Sequence, residues 1–506
     1  MLIDARTLPD GATLEADICI AGAGAAGMTV AMDLSGSGRS VVLLESGGLE
    51  RDEATQTLSE GRMTGIDTWD LRRMRIRALG GTTGHWAGWC RPLMPQDFER
   101  RDYVPDSGWP IKYKDLVPWY RRACRTLEIG QFAWDAGDRA RATGRALLPL
   151  DSDVDQRYYQ FSPPTRFGAT YGPVLERASD VRVITFANVA DIRLDQQRAR
   201  VESFTCRTLG GTALHVQAGR YVLALGGVEN ARVLLASRSQ QPEGVGNGHG
   251  VVGRYFMEHP HYYSSVGFVH PSALDTSFYT RGASDWTRLD GTPVPILGAL
   301  GLSAAVSRRE RLLNFSATIQ TIGAAPPGAP KADSDVVPAS VVQALVTRGS
   351  AFEAKVLTVR AEQSPLRESR ITLTDEVDTL GMPRVALDWR IAPEDDVQMR
   401  RAMVVLGRAL GAAGIARLWV PGDASRFVWR QDPGGHHMGA TRMGRDPAVS
   451  VVDATCRTHE VRNLYVAGCS VFTTGGDSNP TLTIVALAHR LADTLEPRRR
   501  DRRAAP

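Results

Sequence analysis

DICIAGAGAAGMTVAMDL, residues 17–34, passes from an apolar run through a glycine-rich turn into a helical pattern. Asp17–Ala21 is short, apolar and partly β-branched, which is typical of a buried strand. Met28–Leu34 contains no proline and continues as a helix. A second apolar run, Val41–Leu44, predicts the next strand and ends at Glu45. This order of strand, turn, helix and strand predicts a Rossmann-like α/β domain.

The glycines of this turn have separate physical roles. Gly22 permits the tight turn, Gly24 lets a pyrophosphate approach the backbone, and Gly27 lets the helix pack closely on the strand. Unpaired N–H groups and the positive dipole end of the helix face the phosphates at its first residues, Ala25 and Ala26. Glu45 is placed to accept hydrogen bonds from a ribose diol, and an acid there repels the 2′-phosphate of NADP. A glycine-rich turn without a ligand is the alternative, and the complete order of elements argues against it.

Composition sets limits on the remaining possibilities. A chain of 506 residues with 43% hydrophobic content predicts at least two domains. The net charge of +4 is small for this length and does not indicate nucleic-acid binding. No apolar run is long enough to cross a membrane, and the first residues lack the apolar core of a secretory leader. The six cysteines have no CxxC spacing, which predicts reduced thiols in a cytoplasmic protein, with no disulfide set and no metal site.

Two motifs near the C-terminus carry candidate chemistry. GGHHMGATRMG (Gly434–Gly444) places His436 and His437 side by side in a glycine-flanked turn. DSNPTLTIVALAHRLAD (Asp477–Asp493) places Asn479 in a turn before an apolar helix. A neutral imidazole can take a proton from an alcohol, and an amide can fix the orientation of the hydroxyl.

A second glycine-rich turn lies in RALGGTTGHWAGWCRPL (Arg77–Leu93). Gly81 and Thr82 stand in this turn, and His85 and Trp86 follow it. Closely spaced glycine and hydroxyl groups suit contacts to a phosphate or to a flat ring system. These residues are therefore candidates for the same cofactor site.

The rest of the chain is read as strands and helices that interleave two domains. The pattern predicts a strand at Val181–Phe186 and a small meander at Asp191–Leu194, Arg200–Arg207 and His215–Val216. A returning strand, Arg220–Leu225, is followed by a helix through Leu235. Further along, the pattern predicts a hairpin of Arg370–Leu373 with Val385–Ile391, a helix at Pro393–Gly411 and a last strand at Asn463–Ala467. An amphipathic helix is expected within Gly108–Leu127. Ala324–Ser340 reads as a mobile surface loop, with a lid over a substrate cleft as the alternative.

Taken together, these motifs resemble the glucose–methanol–choline (GMC) oxidoreductases, in the same order along nearly the whole chain. The similar stretches are the first glycine turn with Glu45, GGTTGHW, LALGGVENARVLL, GRYFMEHP, QSPLRESRITL, HHMGATRMG and NLYVAGCSVF followed by NPTLT. Within the family, GGTTGHW and NPTLT are most similar to pyranose oxidases, bacterial glucoside 3-oxidases or 3-dehydrogenases, and fructose-dehydrogenase-like large subunits. The resemblance implies bound FAD.

The resemblance also implies roles for individual residues. His436 corresponds to the catalytic base, and Asn479 to the second catalytic position. Gly468 and Cys469 fall in the second flavin fingerprint, where many flavoproteins carry an acid. The backbone of Val189 is expected on the adenine side, and the isoalloxazine edge is expected near Pro480 and Thr481.

Two histidines keep more than one interpretation. His437 is a neighbour that contacts substrate or packs, and an exchange of roles with His436 stays open. His85 aligns with a histidine that carries a covalent flavin bond in some pyranose oxidases, although relatives with non-covalent FAD share the motif. Non-covalent FAD is therefore expected. His259 and His261 are expected to be structural or rim residues.

The sequence thus predicts an α/β protein with a Rossmann-like FAD-binding domain and an interleaved α+β substrate domain built on an antiparallel sheet. The expected reaction is oxidation of a secondary hydroxyl of a sugar or glycoside to a ketone. The electron acceptor is O2 or a quinone or dye, and an oligomer is possible. The alternatives are a flavoprotein subunit that reduces quinone or a haem partner, and a non-redox lyase. The expected divisions are residues 1–70, 77–95, 180–254 and 430–495 for FAD, 96–179 and 255–429 for substrate, and 496–506 as a basic tail.

Overall fold

A computed structural model describes residues 1–66, 70–287, 291–321, 351–420 and 434–496. The predicted loop at 324–340 and all but the first residue of the basic tail lie outside these residues. Within the described ranges the chain forms two large sheets and a smaller one, and helices pack on both large sheets. This is the predicted α/β class.

The first sheet carries the dinucleotide-type unit. Ala12–Ala21 lies in its middle and pairs in parallel with Val41–Leu44 on one side and Ala213–Leu223 on the other. Most of its remaining pairings are also parallel, and an antiparallel meander closes one edge. In spatial order the strands are Leu2–Asp4, Val181–Thr185, Val41–Leu44, Ala12–Ala21, Ala213–Leu223, Val201–Arg207 and Asn188–Leu194, with Leu464–Val466 beside Ala213–Leu223.

The predicted strands of this sheet are confirmed, and the two largest differences concern the strand before the glycine turn and the returning strand. The strand before the glycine turn begins at Ala12 rather than Asp17, because partly exposed residues extend it beyond the buried apolar run. The segments His215–Val216 and Arg220–Leu225, predicted separately, form one continuous strand, Ala213–Leu223. The polar residues in its middle hid this continuity, and one edge of the strand pairs first with Val201–Arg207 and then with Leu464–Val466.

Helices bury the faces of the first sheet. The Ala25–Leu34 helix after the glycine turn packs against Thr481–Leu495, which in turn packs against Tyr113–Thr126. Almost every residue of Glu229–Ala236 is buried as well. The helices of the described residues are Ala25–Leu34, Glu53–Gln56, Leu71–Met74, Tyr113–Thr126, Ala136–Thr143, Phe167–Arg177, Glu229–Ala236, Ala304–Glu310, Pro393–Ala412 and Thr481–Leu495.

The second large sheet is antiparallel, as predicted for the substrate domain. In spatial order its strands are Arg417–Trp419, His261–Pro271, Phe352–Ala361, Phe315–Thr321, Pro293–Leu302, Val154–Phe161 and Trp89–Cys90, with Gly282–Thr287 beside Pro293–Leu302. The Pro393–Ala412 helix buries Met399, Met403 and Leu406 in the apolar core of this sheet.

The predicted hairpin is present. Arg370–Val377 and Pro383–Asp388 pair antiparallel around Gly381, and Gly61–Met63 adds a parallel third strand. This small sheet packs on the core of the first sheet through Ile371 and Val385, although the sequence assigned it to the substrate domain.

Packing also divides residues 96–179 differently from the prediction. The helices Tyr113–Thr126 and Phe167–Arg177 bury their apolar sides in the core of the first sheet. Only the middle of the range, with Ala136–Thr143 and Val154–Phe161, joins the second sheet and its core. An amphipathic pattern shows that a helix has a buried face but not which layer covers it. Among the described helices, none combines the length and the apolar character that a membrane crossing requires.

Candidate active site

A cavity of about 680 Å³ joins the two large sheets, and both ends of the chain line it. The first sheet contributes the glycine turn, and the second sheet contributes strand residues such as Thr358 and Arg360. The predicted site residues on its wall are Gly22, Gly24, Ala25, Ala26, Glu45, Gly81, Thr82, His85, Trp86, His436, His437, Gly468, Cys469, Asn479, Pro480 and Thr481. Residues separated by more than four hundred positions therefore share one site.

The glycine turn forms a cradle for a dinucleotide. A Cβ on Gly22 would lie 2.4 Å from the carbonyl oxygen of Ala224, and one on Gly27 would lie 1.9 Å from that of Gly22. Both contacts are impossible, so close helix–strand packing requires glycine at these positions. Gly24 faces open space in the cavity, and as N-cap of the Ala25–Leu34 helix it offers no side-chain cap. The first N–H groups of that helix are thus free for a phosphate.

Glu45 lies at the end of the next strand, 5% exposed. Its carboxylate accepts hydrogen bonds from the N–H groups of Ala23 at 2.9 Å and Gly47 at 3.1 Å. Burial raises the pKa of Glu45 to about 7, against the lowering effect of these two N–H groups. The carboxylate retains lone pairs toward the cavity, as a ribose contact requires.

Val189 is the predicted site residue that lies in a neighbouring small cavity rather than in the large one. This cavity, of about 20 Å³, also borders Gly22, Leu44 and Ser46. Gly27 lines neither cavity and acts through packing. The packing role agrees with the prediction for Gly27, whereas the position of Val189 on the adenine side stays a prediction.

His436 and Asn479, which the sequence paired, are in contact. The Nδ2 atom of Asn479 lies 3.2 Å from Nε2 of His436. The other ring nitrogen of His436, Nδ1, lies 2.8 Å from Nδ1 of His259. Burial lowers the pKa of His436 well below its usual value of 6.5, and the interactions with His259, when that ring is protonated, and with Arg360 lower it further. His436 is therefore a neutral imidazole at neutral pH.

The contacts of His259 define the tautomers of both rings. Nε2 of His259 faces two carbonyl oxygens, at 3.0 Å for Gly476 and 3.3 Å for Gly475, so this nitrogen carries the hydrogen. Burial lowers the pKa of His259 to about 4, so the ring is neutral and its Nδ1 is an acceptor. His436 must then donate from Nδ1. The lone pair of His436 is on Nε2, where it accepts from the Nδ2–H of Asn479 beside the cavity.

Glu258 holds the backbone of the histidine pair. Its Oε2 accepts a hydrogen bond of 2.8 Å from the backbone N–H of His436, and its Oε1 lies 3.4 Å from Nε2 of His437. Burial raises the pKa of Glu258 to about 8, so the carboxyl group is mostly protonated at neutral pH. Burial also lowers the pKa of His437 to about 3, with a further contribution from Arg75. Glu258 therefore contacts the backbone of His436 and the ring of His437, whereas the ring of His436 contacts His259 and Asn479.

A buried ion cluster supports the loop before Asn479. Asp477 accepts hydrogen bonds of 2.5 Å from both Arg91 and Arg157. Trp109 and Thr474 add a hydrogen bond of 2.9 Å just upstream. These contacts connect the loop to the second sheet and to the segment after Trp89, so the position of Asn479 depends on both layers.

The sequence interpretation missed Glu258, His259 and Arg360. His259 and His261, expected to be structural or rim residues, are both buried, and His259 is in direct contact with His436. The motif GRYFMEHP was noted, but a contact across 177 positions leaves no signal in spacing alone. The adjacent Glu258 and His259 in this motif were the sequence feature that could have indicated a contribution to the site.

The residues present fit a flavin adenine dinucleotide. The cradle at Gly22–Gly27 and the acid at Glu45 suit the nucleotide part, and the wall around Gly81, Gly468 and Pro480 leaves room for a large planar group. Among the described residues, no cluster of His, Cys, Asp or Glu has the arrangement of a metal site. Fold and site together define an oxidoreductase of the dinucleotide-binding α/β class with a separate substrate sheet.

Comparisons with known proteins agree with this class. Residues 365–488 match the C-terminal model of the GMC oxidoreductases. The fructose dehydrogenase large subunit of Gluconobacter japonicus is 24% identical, over 96% of this chain and 98% of the relative. The C-glycoside 3-oxidase of Microbacterium trichothecenolyticum is 26% identical, over 81% of this chain and 74% of the relative.

A solved structure has the same fold. Pyridoxine 4-oxidase from Mesorbium loti superposes with a TM-score of 0.57 at 18% sequence identity, covering 94% of this chain and 98% of that chain. The chain is thus similar to the GMC oxidoreductases in its C-terminal sequence and in its fold, and its cofactor is FAD.

Proposed function

We propose that this protein oxidises a secondary hydroxyl of a sugar or glycoside to a ketone, with His436 as the base. The observation that carries the proposal is the Nε2 lone pair of His436, which accepts from the amide of Asn479 in the cavity that the dinucleotide turn also lines. The relatives named for fructose and for C-glycosides support a sugar as the substrate class.

Oxidation of the alcohol removes a hydride from carbon and a proton from oxygen, and a ketone remains. FAD, when bound, supplies the hydride acceptor. His436 takes the hydroxyl proton at Nε2, and its neutral state at rest keeps this lone pair available. General-base assistance of this kind contributes about 10²–10⁴-fold to the rate.

Asn479 holds the reacting oxygen. Its Nδ2–H group, which lies 3.2 Å from His436 in the absence of substrate, donates to the substrate oxygen once the hydroxyl donates to His436. The Oδ1 atom of Asn479 is buried and has no hydrogen-bond partner among the described residues. A second hydroxyl of a sugar ring supplies the missing donor, which favours a polyol over a simple alcohol.

The second sheet offers further polar groups to a sugar. Ser316, Thr318 and Gln320 alternate along one strand, so their side chains point to the same face, and Thr358 lies opposite Thr318 in the register. Trp89 lines the same cavity and can stack on the apolar face of a pyranose ring. Hydroxyl groups and an indole are typical of carbohydrate sites.

The electron acceptor is the second part of the proposal. Oxygen is one candidate, and a quinone or dye-type acceptor is the other. A second candidate function is that of a flavoprotein subunit that passes electrons to quinone or a haem partner. The similarity to a fructose dehydrogenase large subunit supports this candidate. Slow reoxidation of the reduced protein in air supports the dehydrogenase, and fast reoxidation supports the oxidase.

We also infer a reducing compartment such as the cytoplasm. All six cysteines of the chain are free and buried, and burial raises the pKa of Cys469 and Cys456 to about 12. Thiols of this kind fit a protein that does not depend on disulfides. Fractionation of the cells that make the protein tests this inference directly.

Anaerobic mixing with a panel of glycosides tests the proposed reaction. Bleaching of the flavin absorbance together with a ketone product, identified by mass and NMR, is the expected result. An aldehyde product would move the reaction to a primary hydroxyl. If no glycoside or free sugar bleaches the flavin, the proposed oxidation is wrong and a non-redox lyase becomes the better explanation.

A further inference from the structure

Arg360 is a charged residue of the cavity that the proposed reaction does not use. It lies on Phe352–Ala361, where it is paired in the register with Ser316 on one neighbouring strand and with His261 on the other. All three residues line the cavity. A guanidinium group therefore stands in the middle of the polar wall that faces the substrate.

The partners of Arg360 are all neutral. Its Nε donates a hydrogen bond of 3.1 Å to Nε2 of His261, and an Nη atom donates one of 3.0 Å to the hydroxyl of Tyr159. The guanidinium carbon lies 5.3 Å from the ring of Trp89 and 5.6 Å from that of Tyr159. Of the five N–H donors, three have no protein partner in the described part of the chain.

Other arginines around the site are paired with acids. Arg91 and Arg157 share Asp477, each at 2.5 Å, and Arg101 binds Glu362 at 2.5 Å. Arg360 forms no ion pair with any Asp or Glu of the described residues. Arg360 is half-buried and borders the cavity, so its unpaired N–H donors can reach a ligand that supplies the missing negative charge.

We propose that the substrate is an anionic sugar, and that Arg360 binds its carboxylate or phosphate group. This inference rests on the proposed oxidation of a sugar and specifies the class of sugar. The free edge of the guanidinium matches the paired oxygens of either anion. Ser316 and Thr358 beside it add hydroxyl donors, and Thr358 Oγ1 is buried without a partner among the described residues.

The same charge excludes cationic sugars. An ammonium group placed beside Arg360 meets a like charge, and no Asp or Glu in the described part of the chain pairs with Arg360 to offset it. A series of sugars that differ in charge and little in size therefore separates this site from a neutral sugar pocket. Arg360 acts here on substrate choice, while His436 and Asn479 act on the reacting hydroxyl.

The test uses the FAD-loaded protein and four methyl glycosides of glucose: the parent, its uronate, its 6-phosphate and its 2-amino analogue. Anaerobic flavin reduction is followed at several concentrations of each. We expect the apparent second-order rate constant of flavin reduction to be about 10- to 100-fold higher for the uronate or the phosphate than for the parent. Most of this difference is expected in a lower sugar concentration at half-maximal rate. The amino sugar is expected to be the poorest. The uronate and phosphate arms show which anion fits.

Variants assign the preference to Arg360. Arg360→Gln is expected to reduce the ratio of anion to parent to within about twofold, and Arg360→Lys to retain part of it because the charge remains. Arg308→Gln is the matched control, since Arg308 is an exposed arginine paired with Glu99. It is expected to leave the ratio unchanged.

Two results would overturn the inference. One is that the wild type reacts with the parent and with both anions at equal rate constants, a result that the wild type alone can give. The other is an anion preference that persists in Arg360→Gln. If none of the four sugars bleaches the flavin, calorimetric binding of the uronate and the phosphate to wild type and Arg360→Gln tests the anion site independently of the proposed oxidation, which the wider glycoside panel tests. Equal affinity of each anion for both proteins contradicts it.

Discussion

His259 determines which nitrogen of His436 is available to a substrate. The carbonyl groups of Gly475 and Gly476 keep the hydrogen of His259 on Nε2, and Nδ1 of His259 then accepts from His436. Without this acceptor, His436 can also adopt the tautomer with hydrogen on Nε2, which cannot take a proton from the substrate at that atom. His259 is thus a positioning residue for the proposed base.

Replacing His259 tests this role. His259→Gln is expected to slow anaerobic flavin reduction by about 10- to 100-fold while FAD content is retained, because only the tautomer of the base is affected. The variant also removes the positive charge that His259 carries below its pKa of about 4 and that lowers the pKa of His436. The acid limb of the pH profile is therefore expected to move to higher pH. A slower variant with an unshifted limb would mean that His259 is only structural.

The buried carboxyl group of Glu258 leads to a second prediction at the residue level, which concerns the pH dependence of protein stability. Its pKa in the folded protein is about 8, above the value of 4.5 for an unburied glutamate. The folded state binds this proton more tightly than the unfolded state, so its stabilising contribution is complete below pH 4.5 and is lost as the pH rises through 8. Glu258→Gln keeps an acceptor for the N–H of His436 and does not ionise.

The melting temperature of Glu258→Gln minus that of the wild type is therefore expected to increase as the pH rises from 6 to 9. Thermal unfolding of both proteins at a series of pH values measures this difference. Asp395→Asn is a useful comparison, because burial raises the pKa of Asp395 only to about 6 and its effect is expected at lower pH. A difference between wild type and Glu258→Gln that does not change with pH contradicts the assignment of a protonated Glu258.

At the level of elements, the glycine turn and its helix form the cofactor cradle. Gly27→Ala is expected to lower the FAD content of the purified protein, because its Cβ would lie 1.9 Å from a backbone oxygen and the helix must shift away from the strand. The ratio of flavin to protein absorbance measures this. Gly411→Ala, in the Pro393–Ala412 helix with no atom within 4 Å of the new Cβ, is the control. Normal FAD content in Gly27→Ala would contradict the cradle.

Elements were the part of the fold that the sequence predicted best. The strand Val41–Leu44, the Arg370–Val377 hairpin and the Pro393–Ala412 helix follow from apolar periodicity and turn residues, which are local signals. The layer to which a helix belongs is not local. Tyr113–Thr126 has a strong apolar face, yet nothing in that face distinguishes the first sheet from the second.

At the level of the whole molecule, the site depends on contacts between distant parts of the chain. The residues of the glycine turn could be found from their motif, and His436 with Asn479 from the family resemblance. The contacts of His436 with Glu258 and His259, and the position of Arg360 on the cavity wall, arise only when the two sheets meet. Spacing along the chain carries no information about such pairs.

The central claim is that His436 takes the hydroxyl proton during oxidation of the sugar. Single-turnover flavin reduction of His436→Ala under anaerobic conditions, with FAD content matched to wild type, tests it most directly. His249→Ala, at an exposed histidine, is the control and is expected to react at the wild-type rate. We expect His436→Ala to be slower by about 10²–10⁴-fold. A His436→Ala protein that reduces its flavin as fast as the wild type would contradict the account.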